Sequence, residues 1–282
     1  MSLAPMPPVI VEEAVARALR EDFGDAGDIT TNATIPADAK SKAVIAARKP
    51  GVIAGVDAAL AAFRLVDPQT VVTVENGDGA HVKKGDVIIK IEGAARAILS
   101  AERIALNFMC HLSGIATATA ELVREADGTN CKIVCTRKTT PGLRAFEKHA
   151  VRCGGGHNHR FGLYDAVMIK DNHIVASGGI GKALSAARDA IGHMTKIEIE
   201  VDRLDQLEEA LSNGANVVLL DNMSPDELKK AVEINRGRAA LEASGNVTAK
   251  SVRAIAATGV DVISSGWITH SAPNLDLGLD FI

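Results

Sequence analysis

Four short apolar runs recur at regular intervals between Thr195 and Gly266: Lys196 to Val201, Val217 to Leu220, Ala239 to Ala243 and Val260 to Ser264. Between them, apolar residues return with helical spacing over Leu204 to Asn213, Pro225 to Asn235 and Thr248 to Thr258. Such alternation predicts repeated βα units, and hence a parallel sheet covered by helices. Each run ends in polar residues or glycine: Glu198 and Glu200, Asp221-Asn222, Glu242 with Ser244-Gly245-Asn246, and Ser264-Ser265-Gly266. In a parallel barrel these C-terminal strand ends converge on one mouth, where ligand sites are built.

The same reading extends upstream. Val9 to Asp22 predicts a helix with Val11, Val15, Ala18 and Leu19 on its apolar side, broken by Gly24 to Asp28. Residues 42–54 and 70–75 are β-rich, with a helix over Asp57 to Leu65, and Asn76 to Glu92 reads as a β-turn-β unit. That unit is similar to a fragment of a biotinyl or lipoyl carrier domain, yet it lacks the exposed modifiable lysine. Ala94 to Leu112 is helical, Ser113-Gly114-Ile115 predicts a break, and a second helix follows over Thr117 to Ala126. The domain boundary falls near residues 112–118.

Lys132 to Cys135 and Ala166 to Ile169 supply two earlier barrel strands, followed by helices over Leu143 to Val151 and Gly178 to Ile191. With the four runs above they give six strands, too few for a closed eight-stranded barrel. After Gly266, the alternation of Leu275, Leu277 and Leu279 predicts a strand returning to the first domain.

Composition narrows the class. Hydrophobic residues make up 47% and aromatics 3%, so the core is built from Ala, Val, Ile and Leu. A formal net charge of -4 argues against a nucleic-acid surface. The start of the chain is unlike a signal peptide, and no apolar run is long enough to span a membrane, which leads to the expectation of a soluble, cytoplasmic protein. Cys110, Cys131, Cys135 and Cys153 form no CxxC pair and read as reduced thiols; Cys131 and Cys135 lack a nearby histidine to complete a metal site.

The strand-end residues sort by charge. Arg137, Lys138, His159, Arg160 and Lys170 follow the first two barrel strands, and Glu200 and Asp221 the next two. Any one of these cations reads as a solvated loop residue. Gathered at one mouth they repel unless a polyanion joins them, so the site suits a substrate with several negative charges. Glu200 and Asp221 have three open uses: accepting hydrogen bonds from ribose hydroxyls, holding Mg²⁺ with its waters, or bridging to Lys170 and Arg137. The Ser244-Gly245-Asn246 and Ser265-Gly266 loops expose backbone amides at corresponding strand ends, a common phosphate cradle in such barrels. His157 and His159 suit zinc if both point inward, although the neighbouring arginine favours an anion role. There is no dinucleotide fingerprint, P-loop, HExxH pattern or nucleophile elbow.

The combination of Thr136-Arg137-Lys138-Thr139 with Pro141-Gly142-Leu143-Arg144, the Gly154 to Arg160 loop, and Leu163-Tyr164-Asp165 through Lys170-Asp171-Asn172-His173 is distinctive. To it are added Glu198-Ile199-Glu200-Val201, Leu220-Asp221-Asn222-Met223, Glu242 to Asn246 and Ile263 to Gly266. Together they resemble the quinolinate phosphoribosyltransferase family, also called nicotinate-nucleotide pyrophosphorylases, over nearly the entire chain. The resemblance implies an α/β fold with an N-terminal α/β sandwich, residues 1–116, joined by the tail 271–282. An incomplete, six-stranded parallel α/β barrel, residues 117–270, would follow.

It further implies transfer of phosphoribosyl from 5-phosphoribosyl 1-pyrophosphate to quinolinate, with Mg²⁺ and decarboxylation, by a homodimer with shared active sites. Arg103, alone a solvated helix arginine, would then reach the neighbouring subunit's quinolinate. Arg137, Arg152, His159, Arg160 and Lys170 would line the same pocket, with Lys138 on quinolinate or pyrophosphate. Lys138, Lys170, Glu200 and Asp221 carry the catalytic assignment. Glu200 and Asp221 also serve ribose and metal, directly or through water, and Ser244, Gly245, Asn246, Ser265 and Gly266 hold the 5-phosphate. Trp267 stands where the family more often has a small residue, so packing beside that phosphate is expected to differ. A nicotinate phosphoribosyltransferase needs fewer cations than this mouth gathers, and a non-catalytic binding protein would not need all the charged strand ends.

Overall fold

The computed structural model describes residues 3–282. The chain begins with α1 (Pro8–Phe23), α2 (Ile29–Thr34), β1 (Lys40–Ala47), β2 (Gly51–Val52) and α3 (Val56–Val66). It continues through β3 (Val71–Val74), β4 (His81–Val82), β5 (Val87–Ala94), α4 (Ala95–Glu125), β6 (Lys132–Val134) and α5 (Arg144–Cys153). Next come β7 (Val167–Ile169), α6 (Asp171–Ser177), α7 (Ile180–Ala190), β8 (Ile197–Val201), α8 (Leu204–Ser212), β9 (Val217–Asp221) and α9 (Pro225–Asn235). The last elements are β10 (Ala240–Ser244), α10 (Val252–Ala256), β11 (Val262–Ser264), α11 (Trp267–His270) and β12 (Leu277–Phe281).

These elements form two compact units. One comprises the residues up to Ala120 with Thr140–Gly155 and Ala272–Ile282; the other comprises Glu121–Thr139 and Gly156–Ser271.

In the first unit an antiparallel sheet of order β12-β1-β5-β3 carries the N-terminal sandwich. Its outermost strand is the tail: Ile45 pairs with Leu279 and Ala47 with Leu277. Leu275 and Leu277 are buried, as their alternation anticipates. α1 starts with a proline in its first turn and ends at Gly24, whose φ of 51° is cheap for glycine. The anticipated break at Ser113-Gly114-Ile115 is absent, because α4 runs unbroken through it. Gly114 serves close approach: a β-carbon there would collide with the Pro273 carbonyl and lie 3.0 Å from Asn274 Cα. Ser113 hides its hydroxyl by accepting from the Ala54 amide (3.0 Å) and donating to the Ala54 carbonyl (3.1 Å). Tertiary contact therefore outweighs the weak helix propensity of the Ser-Gly pair.

The second unit is a six-stranded parallel sheet of order β6-β11-β10-β9-β8-β7, the incomplete α/β barrel. Its strands are short Val, Ile and Leu runs buried between helices, the pattern of a parallel sheet covered on its faces. Helices close the repeats with local signals. α9 carries Pro225 at its start, and Ser224 and Glu227 make a reciprocal capping box. Lys170 immediately precedes the short helix α6. One sequence expectation needs correction here. The Thr248–Thr258 pattern yields only the five-residue α10, because the Ser251 hydroxyl accepts from the Thr248 amide and donates to the Thr248 carbonyl, holding the preceding residues in a turn.

No helix among the described residues is long and apolar enough to cross a membrane. None of the four cysteines forms a disulfide among the described residues.

Candidate active site

The C-terminal ends of the barrel strands enclose a cavity of about 820 Å³. Its cationic side comes from the segments after β6 and before and after β7: Arg137, Lys138, His159, Arg160 and Lys170. Glu200 and Asp221 enter from the ends of β8 and β9. The glycine loops Ser244-Gly245-Asn246 after β10 and Ser265-Gly266 after β11 complete the lining, the second of them next to Lys138 because β11 pairs with β6. The structure thus brings together every site residue foreseen from sequence except Arg103 and Arg152, which belong to the first unit. Arg103 is exposed on α4 beside a depression formed with Asn107, Cys110 and residues 274–277, and Arg152 is half-buried on α5.

The two arginines of the mouth lie close enough to repel each other. Arg137 and Arg160 each leave a buried Nε without a partner, while Arg160 Nη1 donates to the Ala166 carbonyl at 3.0 Å. Burial and then the charge of Arg137 pull the Arg160 guanidinium below its ordinary range. An anion placed between them would offset the repulsion and favour the charged guanidinium despite its burial. Lys170 differs, since its ammonium meets Glu200 Oε2 at 2.6 Å, the bridge foreseen for that pair. Asp221 makes no such bridge to Arg137; its Oδ2 instead accepts from Asn222 Nδ2 at 2.7 Å.

The glycine loops are shaped for a group bound against backbone. Gly245 has φ 106°, and a β-carbon there would collide with Asn222 Oδ1. Asn222 (φ 55°) and Asn246 (φ 48°) share the left-handed conformation, so three such residues cluster at one rim. At Gly266 a β-carbon would sit 2.8 Å from Lys138 Cδ and 3.2 Å from His270 Cδ2. The Thr269 hydroxyl donates to the Lys138 carbonyl at 2.7 Å, so the two loops are fixed together. Trp267 is half-buried and lines the cavity beside them.

At the mouth His159 also meets two glutamates, Glu198 and Glu242, to which the sequence assigned no role. His159 Nε2 is 2.8 Å from Glu198 and 3.7 Å from Glu242, and both glutamates are buried. Burial, followed by the charge of Glu198, pushes the Glu242 carboxyl up to about 7, while His159 opposes the shift. The available signal was a carboxylate interrupting an apolar strand: Glu198 shares a strand face with Glu200, and Glu242 stands between Leu241 and Ala243. What no pattern supplied was the partner, since His159 is 39 residues from Glu198. The three offer donor atoms within 4.8 Å of one another, a group able to hold a metal ion. Its imidazole suits a borderline metal, whereas the half-buried Glu200 and Asp221 offer only oxygen, the donor set of a hard cation that retains its waters.

Comparison with known proteins places this architecture. The sequence model of "Quinolinate phosphoribosyl transferase, C-terminal domain" matches residues 115–280, and that of the corresponding N-terminal domain matches residues 28–113. A probable carboxylating nicotinate-nucleotide pyrophosphorylase of Bacillus subtilis is 46% identical over 92% of this chain and 89% of its own length. Its Mycobacterium leprae counterpart is 44% identical over 95% and 96%. The solved nicotinate-nucleotide pyrophosphorylase of Francisella tularensis superposes with a TM-score of 0.95 at 40% identity, covering 100% of this chain and 99% of that one.

Proposed function

The chain belongs to the quinolinate phosphoribosyltransferase family, and from that premise we propose that it transfers phosphoribosyl from 5-phosphoribosyl 1-pyrophosphate to quinolinate. The products are nicotinate mononucleotide, pyrophosphate and CO₂, a step of NAD biosynthesis carried out in the cytoplasm. The observation that carries this reading is the convergence of an unpaired arginine pair, two carboxylates and two glycine loops on one cavity.

Arg137, Arg160, His159 and Lys138 hold the carboxylates of quinolinate and orient its ring nitrogen. The 5-phosphate lies against the amides of Gly245, Asn246 and Gly266, with Ser244 and Ser265 as hydroxyl donors. Glu200 and Asp221 accept from the ribose hydroxyls. Among the described residues each keeps a second oxygen that no protein group engages, and these oxygens would hold Mg²⁺ directly or through water. When bound, Mg²⁺ neutralises charge on the pyrophosphate leaving group.

The ring nitrogen forms its bond to the anomeric carbon as the carbon–oxygen bond to pyrophosphate breaks. No covalent protein nucleophile is needed. Loss of the adjacent carboxylate as CO₂ then leaves its electron pair on the ring carbon beside the positively charged nitrogen, which stabilises it until that carbon takes a proton from water to give nicotinate mononucleotide. Lys138 and Lys170 supply fixed positive charge where negative charge develops, and the chain's main contribution is positioning with charge neutralisation. Arg103, exposed on α4, is contributed to the cavity of a second copy in a homodimer, and Arg152 joins the cationic group.

The test is release of CO₂ and pyrophosphate from quinolinate, 5-phosphoribosyl 1-pyrophosphate and Mg²⁺, with nicotinate in a parallel reaction. Equal release of both products from quinolinate alone is expected. Turnover of nicotinate without CO₂ would reassign the substrate, and no turnover of either would remove the proposal.

A further inference from the structure

The first unit holds a constellation that phosphoribosyl transfer does not use. His149 and Cys153 are one helical turn apart on α5 and face the same way. His149 Nε2 lies 2.8 Å from Asp78 Oδ2, and one donor atom from each of Asp78, His149 and Cys153 falls within 4.8 Å of the others. We propose that Asp78, His149 and Cys153 form a binding site for Zn²⁺, with water completing the coordination.

The donor chemistry favours this choice. A thiolate, an imidazole and a carboxylate match a borderline ion, while Mg²⁺ and Ca²⁺ prefer oxygen alone. Tetrahedral zinc sets its donors roughly 3.3–3.7 Å apart, so the His149–Asp78 pair, now at 2.8 Å, opens by about 0.5 Å, and the sulfur, already within 4.8 Å of both, closes by no more than about 1.5 Å. Neither shift requires backbone refolding. Asp78 is already fixed from behind, since its Oδ1 accepts from the Val56 amide at 3.0 Å. The turn that carries it is pinned by Gly79 N donating to the Ile53 carbonyl (2.8 Å) and Ala80 N to the Gly77 carbonyl (3.0 Å).

The field is also suited to a cation. Asp78 and Asp57 both place negative charge near the Cys153 sulfur. On binding, the metal gains bonds to sulfur, nitrogen and oxygen and the thiol proton passes to water; no electrons move. Side chains of His149 and Asp78 keep 12% and 15% exposure, which leaves a route for the ion. Occupation would staple the end of α5 to the turn that also supports the start of α3.

Chelator-stripped full-length protein should be titrated with Zn²⁺ alone by calorimetry, and with Co²⁺ as a spectroscopic probe. The expected result is a near-ultraviolet thiolate-to-cobalt charge-transfer band. Cys153→Ser should abolish it, while Cys110→Ser and Cys131→Ser retain it. His149→Gln and Asp78→Asn should each weaken Zn²⁺ binding on the order of 100-fold. The sulfur band separates this site from the barrel group of His159, Glu198 and Glu242, which contains no thiol. The wild-type spectrum needs no variant to fold: its lack of the band would overturn the proposal, as would survival of the band in Cys153→Ser.

Discussion

The first unit's surface and the arginines of the barrel mouth use charge in opposite ways. In the first, ionisable side chains are consumed by local partners: Lys42 with Glu92, Lys90 with Glu75, Arg48 with Asp280, His111 with Glu147. At the barrel mouth, Arg137 and Arg160 each bury an Nε with no protein acceptor, and the charge of Arg137 pulls the Arg160 guanidinium below its ordinary range. Paired charges fix a fold. Unpaired, mutually repelling charges that are kept at strand ends are held for an anion brought from outside.

The largest effect should therefore appear where charge is unpaired. Arg160→Met is expected to lower kcat/KM for quinolinate on the order of 10³-fold, the loss of a desolvated charged contact. The folded protein should become no less stable, because burial and repulsion are relieved together. Arg137→Met should behave alike. Steady-state kinetics beside thermal unfolding checks both, and a stability loss that explained the inactivity would break the contrast between the units.

Glycines offer the next test. Gly114 and Gly245 both exclude a β-carbon, yet for different ends. Gly114→Ala normally stabilises a helix interior; here the collision with the Pro273 carbonyl should destabilise by about 1–3 kcal/mol. Gly245→Ala strains a left-handed residue and presses on Asn222, and its expected signature is a KM for 5-phosphoribosyl 1-pyrophosphate raised on the order of 10-fold or more. Urea unfolding and substrate titration distinguish the packing glycine from the binding glycine.

This pair also explains what the sequence made legible. Parallel strands are buried on both faces, so each writes a compact apolar run ending at a polar cluster, and the barrel with most of its mouth was readable from Val217 to Asp221 and its repeats alone. Gly114 wrote the same letter as a helix break because a close contact with residues more than 150 positions away leaves no local mark. The His159, Glu198 and Glu242 group failed to appear for the same reason. Three strand ends had to be folded together before a carboxylate in an apolar run acquired its partner.

That buried group predicts a smaller, pH-dependent effect. Glu242 rises from 4.5 to about 7 on folding, so between these values the native state binds more protons than the unfolded chain. Stability of the chelator-treated protein should then fall as pH rises through this window, by up to about 3 kcal/mol. Glu242→Gln should flatten the decline, measured as unfolding free energy at pH 5, 6 and 7. A variant with an unchanged slope would assign the decline to another group.

The smallest effect belongs to the first unit's surface. Lys42 and Glu92 face each other across β1 and β5 at 2.9 Å, with side chains 62% and 61% exposed. Water and salt screen such a pair, so a double-mutant cycle should yield a coupling of about 0.2–1 kcal/mol, and turnover should not change. The value is informative by its size relative to the barrel. If removing this satisfied pair slowed turnover as removing Arg160 does, partnered and unpartnered charge would not divide fold from function, and the reading of the barrel mouth would lose its electrostatic basis.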